Sequence, residues 1–549
     1  LDKNNAATMV FSMLSNQLAS SHPWGIPLSA ILPSNPTKSS SCGFVCPPAR
    51  HPSVAMTPLP TRSSTSITST SSSNTIVASS SKLQSTNKKY SAEWIDLLSS
   101  DSYSSSSSPI PLPNKIDPPR SGAVSVSDNG QQLVTFGGYA EVASTSDSMP
   151  PERFVVNDLW KFVPYQEQES NTSQESSSSS WGWNKVSQNE KEEYIPGPRL
   201  ATALAVLPSS NNDDSNNNAV LLGGWDPQTA GTGGIILEDV TMLDMDSLVW
   251  SQYASTIAND DDDDDQNDNN QVTIPGGPTS RHVAVPLSIQ SNNDDSDNVR
   301  HVICLHNHRC NDHVLLFSDT SSSKEGSMCD AKWEHQPTTG DVPSSRDLHC
   351  ATSLAYGLSD DDNDANTSTK AMVIFGGAAK DGNMSNEVFV LDVRSWKWTR
   401  LDCSSSAGDG DDDDADDAHD IPTPRAGACL CPLDENSLLL FGGAMPATAD
   451  EGGGLLGLND VWVLRIDMEH GKGKWECLIR SQSVVDNDED NNDVVRPPGR
   501  NAATLCAIDA GKFLPNMKAG TEGDDGKSSC FLLQGGWYPF RKTYDDVFL

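Results

Sequence analysis

Basic residues are scarce in this chain. Its 549 residues hold 37 Lys and Arg against 75 Asp and Glu, a formal net charge of −38. Nucleic acids and anionic membrane surfaces are polyanions that this field repels, so neither is expected as a partner. Long apolar runs are missing too. Nothing approaches the ~18 consecutive apolar residues of a membrane helix, and a soluble chain is expected. Cysteine is thinly spread: the 12 residues sit mostly alone apart from Cys42/Cys46 and Cys429/Cys431, which argues for reduced thiols over a disulfide framework. HExxH and GxSxG are absent, and DDGKSS at 524–529 lacks the Gly that a phosphate loop places five positions before Gly526. No enzyme activity and no cofactor are therefore expected.

What is present falls into zones. Residues 1–91 are rich in Ser, Thr and Pro, and their only acid is Asp2 against Lys3, Lys38, Arg50, Arg62, Lys82, Lys88 and Lys89. Such a stretch does not pack a core, and a disordered tail or an organelle-targeting segment fits it. The compartment expected is the cytoplasm, with targeting through residues 1–91 as the alternative. From residue 92 to 549, apolar runs of strand length alternate with polar inserts. The acidic tracts at 260–265, 359–364, 409–417 and 486–493 read as solvated loops; none has the alternating ligands, Gly turn and Glu of a calcium loop.

With the inserts set aside, one pattern repeats six times. A Pro-rich approach ends at an Arg: Arg120, Arg199, Arg281, Arg346, Arg425 and Arg500. An apolar run then closes on Gly-Gly, as in LVTFGG, AVLLGG, AMVIFGG, SLLLFGG and CFLLQGG. After an insert comes an acidic pair opening a second apolar strand: NDLWKF, EDVTML, NEVFVL, NDVWVL and DDVFL. A Trp-led strand ends the unit, with Trp183, Trp250, Trp333, Trp398 and Trp475. Runs of four to seven residues without helical period predict an all-β chain of four strands per unit, named a to d in chain order. Six such units fit the blades of a β-propeller, which avoids exposed edges by radial repetition.

The order of Arg, Gly-Gly, acidic pair and Trp resembles the kelch repeat family, over about residues 92–549, and the central domain of galactose oxidase shares that fold class. The resemblance implies a six-bladed propeller whose d-to-a and b-to-c loops share one face around a central channel. The sixth unit stops at DDVFL without a Trp strand, while Trp94 leads Ile95, Leu97 and Leu98 ahead of the first unit. Kelch propellers close by such strand exchange, so residues 92–98 are expected to complete the sixth blade; the alternative is a fragment lacking its last strand.

By the same resemblance, Arg120, Arg199, Arg281, Arg346, Arg425 and Arg500 would ring the channel, with Tyr139, Trp225, Trp537 and Tyr538 in the adjoining loops. Arg forks suit carboxylates, and Arg with aromatics is hot-spot chemistry. The expected function is a monomeric protein-binding scaffold or adaptor engaging a protein partner, such as an acidic peptide motif. The alternative is a kelch or galactose-oxidase-like enzyme acting on a sugar or small metabolite. A structural role, each Arg pairing within its blade, is compatible with binding. The acid opening each strand c (Asp158, Asp239, Asp312, Glu387, Asp460, Asp546) reads as a turn device.

One copy departs from the pattern. HVICLHNHRCNDH at 301–313 concentrates His301, Cys304, His306, His308, Cys310 and His313, a composition suited to zinc. Aligned with the repeat, it becomes the third blade's b-to-c hairpin, with His306-Asn307 in place of Gly-Gly. Strand alternation turns Cys304 away from Ile303 and Leu305, so the six groups cannot converge and no metal site is expected. Asn307 is expected to supply the left-handed turn that Gly would have given.

Overall fold

The computed structural model describes residues 90–99, 112–128, 132–144, 151–165, 181–188, 194–207, 217–228, 234–253, 272–290, 299–319, 331–354, 371–403, 421–448, 454–481, 495–509, 513, 529–539 and 541–549. The segment 1–89 and the four acidic tracts lie outside them.

Each repeat folds as one antiparallel sheet in which strands a to d pair in chain order. The third blade shows it without interruption, as Val283–Gln290, Val299–His306, His313–Asp319 and Ala331–Pro337. The fifth runs Cys429–Asp434, Ser437–Pro446, Leu455–Asp467 and Lys472–Ile479. The inner strands follow one another around a closed circuit: Val124–Asp128, Ala203–Leu207, Val283–Gln290, Cys350–Leu354, Cys429–Asp434 and Thr504–Ile508 each adjoin the next, and the last adjoins the first. This is a six-bladed β-propeller.

Closure of the circuit explains why strand b is apolar on both faces. In Ala371–Phe375 of the fourth blade, Ala371, Val373 and Phe375 pack into the core shared with the fifth blade, while Met372 and Ile374 pack into the core shared with the third. Period two delivers alternate side chains to opposite faces, and both faces are buried. The Trp of strand d spans the same gap. Trp250 meets Phe136 of the preceding blade at 4.8 Å between centroids, and Trp475 meets Phe375 at 5.3 Å.

The sixth blade is completed from the other end of the chain. Ile95 donates to the Leu549 carbonyl at 2.9 Å, Leu549 returns the bond at 2.9 Å, and Leu97 donates to Val547 at 3.0 Å. Trp94 lies 5.2 Å from Phe441 of the fifth blade, the contact that Trp250 and Trp475 make in theirs, and Leu97 is fully buried. The expected strand exchange is present.

At one end of the circuit lies a second ring made of backbone alone. Gly122 donates to the Ala502 carbonyl, Ala502 to Gly427, Gly427 to Leu348, Leu348 to Arg281, Arg281 to Ala201 and Ala201 to Gly122, at 2.8–3.2 Å. All six residues have φ between 51° and 66°. Four of them are not glycine, so the left-handed backbone costs strain that the ring of hydrogen bonds offsets. Each lies just ahead of strand a. In five blades the residue before it forms a bridge or ladder pair with the residue after Gly-Gly: Ser121 with Tyr139, Leu200 with Trp225, Asp347 with Ala378, Ala426 with Ala444 and Asn501 with Trp537. The d-to-a and b-to-c loops thus share the face that carries the ring.

Candidate functional site

Two positions ahead of the ring, five blades carry the repeat's arginine. Its donors are spent inside the blade. In the fifth blade, Arg425 Nη1 donates to the Gly442 carbonyl at 3.0 Å and to Asp460 Oδ1 at 2.7 Å. Its Nη2 donates to Asp460 Oδ2 at 2.8 Å and to Thr423 Oγ1 at 3.1 Å, and Nε to the Thr423 carbonyl at 3.0 Å. Arg199 with Asp239 and Arg500 with Asp546 repeat the two-pronged pair, and Arg120 with Asp158 adopts it less evenly. Arg346 uses Glu387 at 3.1 Å. In every case Nη1 also bonds the carbonyl of the first glycine of Gly-Gly, at 2.9–3.3 Å. These guanidiniums are at most 3% exposed.

The arginine thus ties three parts of a blade together: the loop entering strand a, the turn after strand b and the acid that opens strand c. The turn must be glycine because Gly442 has φ +63°, and a Cβ there would stand 2.9 Å from the Arg500 carbonyl of the next blade. Burial would raise the pKa of the acids, but hydrogen bonds and charge from the guanidinium outweigh it at Asp158 and Glu387, whose carboxyls are held below the usual range.

The third blade breaks the pattern. Thr279 stands where the arginine belongs: its carbonyl accepts from Gly224 at 2.9 Å, as the Arg199 carbonyl accepts from Gly138. Arg281 falls two residues later, on the backbone ring itself, so the expected register of six equivalent arginines holds for five. The signal was there in Pro278-Thr279, which aligns with Pro198-Arg199. Phe317 pairs with Trp333 as Leu391 pairs with Trp398, so His313, and not the expected Asp312, takes the place of the clamp acid; Asp312, one residue ahead, is 89% exposed and accepts from His313 at 2.7 Å. Arg309 ties down the loop instead, donating to the Gly276, Gly277 and Pro278 carbonyls. Val283 pairs with His306 as Cys350 pairs with Phe375, so Asn307-His308, and not the expected His306-Asn307, stand in place of Gly-Gly, without positive φ. Asn307 serves through its side chain, Oδ1 accepting from Arg309 N at 2.8 Å, which corrects the expected left-handed turn.

Arg281 has no side-chain hydrogen bond to any described residue. Its Nη1 lies 3.9 Å from Asp347 Oδ2 and its Cζ 5.6 Å from the Trp225 ring. His308 Nδ1 approaches the other Asp347 oxygen at 3.6 Å. Burial lowers the pKa of Arg281 and Asp347 raises it by less. Of the expected aromatics, Trp225 and Trp537 are buried in one apolar cluster with Val155 and Leu200, against which Tyr139, Ala201, Leu348 and Ala502 pack. Tyr139 and Tyr538 are half-buried, and Arg541 lies 5.2 Å from the Tyr538 ring. The face is therefore uneven: apolar and aromatic over blades six, one and two, with Leu348 of the fourth blade joining them, and polar around Arg281, His308 and Asp347.

The His/Cys stretch does not gather. Cys304 and Cys310 are buried, with burial pushing the Cys310 thiol up to about 11, and His306 bonds His349 of the fourth blade at 3.1 Å. Among the described residues no group of three or more His, Cys, Asp or Glu is placed to hold a metal ion. No described helix is long and apolar enough to cross a membrane. Of the sequons, Asn383 is exposed on the fourth blade's b-to-c loop, while Asn171 and Asn366 lie outside the described residues.

Comparison with known proteins agrees with this repeat. The KLHDC2/KLHL20/DRC7 kelch-repeats domain matches residues 306–495, which run from the end of the third blade's strand b to the approach to the sixth. The solved structure of YjhT is similar at 15% identity, covering 65% of this chain and 84% of that one with a TM-score of 0.34. A chain of the RAG complex with one melted and one unmelted RSS is similar at 13% identity, covering 51% and 68%, with a TM-score of 0.30. The clamp of arginine, Gly-Gly and acid recurs in five of six blades within a ring closed by its N-terminal strand: the chain is a six-bladed β-propeller, similar over residues 306–495 to the kelch-repeats domain.

Proposed function

We propose that this protein is a non-enzymatic scaffold or adaptor that binds an acidic segment of a protein partner on the face of the d-to-a and b-to-c loops. The observation that carries this reading is the contrast among its arginines. Arg120, Arg199, Arg346, Arg425 and Arg500 spend their donors on their own blades and act by holding the loops in place. Arg281 projects from the backbone ring beside Trp225 with its fork uncommitted, and a carboxylate suits that fork. Tyr139 and Tyr538 extend the same face with partly exposed rings, next to the buried Trp225 and Trp537. The imidazoles nearest the ring, His282, His306 and His349, are covered within the blades, which fits binding better than acid–base chemistry.

Selection of peptides from a random display library on the full chain tests the reading. Peptides enriched in Asp and Glu are expected, losing at least tenfold in affinity to Arg281→Glu and little to Lys185→Glu on the outer edge of the first blade. Selected peptides without acidic residues, or equal loss in both variants, would reject it.

A further inference from the structure

Two histidines, His306 and His349, meet across the seam between the third and fourth blades, and a third, His282, stands in the third blade beside the Leu222 carbonyl of the second. His306 ends strand b opposite Val283, where the other blades place Phe136, Leu222, Phe375, Phe441 and Gln534. His282 and His349 each follow the backbone-ring residue, where the other blades have Ala123, Thr202, Ala428 and Ala503. All three are buried. His306 Nδ1 and His349 Nε2 share one hydrogen bond of 3.1 Å across the seam, and the His306 ring stands 5.8 Å from that of Trp398 in the fourth blade. His306 Nε2, His349 Nδ1 and both nitrogens of His282 have no partner among the described residues, although the Leu222 carbonyl lies near the His282 ring.

The charged groups facing these imidazoles are mostly cations. His306 faces Arg346 and His313; His349 faces Arg346, His306 and His282; His282 faces Arg309, His308 and one acid, Asp347. Asp347 already lies between Arg281 and His308. An imidazolium in this seam would lose its hydration and gain no carboxylate in hydrogen-bond reach. Burial accordingly holds His306 down to about 3 and His282 to about 4, with His349 also well below the ordinary range. An unfolded chain protonates the same side chains near pH ~6.5. The folded values are depressed, so the contribution to stability is complete above ~6.5 and is lost progressively as pH falls toward the folded values.

We propose that the seam between the third and fourth blades is an acid-released joint, where the ring loosens first as the solution becomes mildly acidic. The other blades put Phe, Leu or Gln at the position of His306 and Ala or Thr at those of His282 and His349, and have nothing there to protonate. Release would also disturb Arg281 and Asp347, so mild acid would weaken the partner site; that consequence alone rests on the function proposed above.

Hydrogen exchange on the full chain at pH 7.5, 6.5 and 5.5, corrected for intrinsic rates, tests the joint without any ligand. Between pH 6.5 and 5.5, protection in Val299–His306 and Cys350–Leu354 should fall about fivefold for each histidine that opening exposes, while Ala203–Leu207 and Thr504–Ile508 hold. Replacement by the residues of the other blades (His282→Thr, His306→Phe and His349→Ala together) should abolish the fall. Should the triple variant not fold, His349→Ala alone should lessen it by about fivefold. An undiminished fall in the variants, or an equal fall in all blades, would overturn the proposal.

Discussion

The fifth and third blades have the same strand order and opposite chemistry at their loops. In the fifth, Arg425, Gly442 and Asp460 interlock, Trp462 Nε1 adds a bond to Asp460 Oδ2 at 2.8 Å, and the acid is 5% exposed. In the third, Thr279, Asn307 and His313 hold the corresponding places, and the neighbouring acid, Asp312, is 89% exposed. A propeller blade can therefore lose its clamp if another donor secures the loop, as Arg309 does. The vacated chemistry shifts: Asp312 is left exposed, and Arg281, its side chain 14% exposed, makes no hydrogen bond through that side chain to a described residue.

The sharpest way to break this comparison is to cut the clamp where it is whole. Arg425→Ala leaves Asp460 buried without its cation and should cost about 3–5 kcal/mol in urea unfolding. A cost below 1 kcal/mol would mean that the pair is not structural. Next comes Gly442→Ala, which forces a side chain into positive φ and toward the Arg500 carbonyl; thermal unfolding should register about 1–3 kcal/mol. Asn307 occupies the equivalent position at ordinary φ, so Asn307→Ala should lose only side-chain hydrogen bonds, chiefly those with Arg309 N and Thr279 Oγ1, about 1–2 kcal/mol. Smallest of all, Asp312→Ala should change stability by less than about 0.5 kcal/mol, where Asp460→Ala repeats the large loss. Equal losses for the two acids would erase the distinction between the blades.

Much of the architecture was legible because it rests on residue type. Continuous apolar runs such as AMVIF can only be strands buried on both faces, and the lone Trp94 ahead of the first unit announced the strand missing from the last. What stayed hidden depends on backbone conformation and on competition among donors. Nothing in Ala201, Leu348 or Ala502 announces a left-handed residue, since the ring that rewards it is built from six distant segments. Six arginines at similar spacing looked equivalent, yet two residues of register separate an internal clamp from an uncommitted fork. Only Pro278 ahead of Thr279 hinted at the shift.

The account turns on Arg281 being dispensable to the fold and needed for a partner. Titration of an acidic peptide selected on the wild-type chain into Arg281→Ala, with the urea midpoint recorded on the same preparation, tests this directly. Binding at least tenfold weaker with an unchanged midpoint is the predicted result; unchanged binding, or a midpoint lowered as far as in Arg425→Ala, would contradict it.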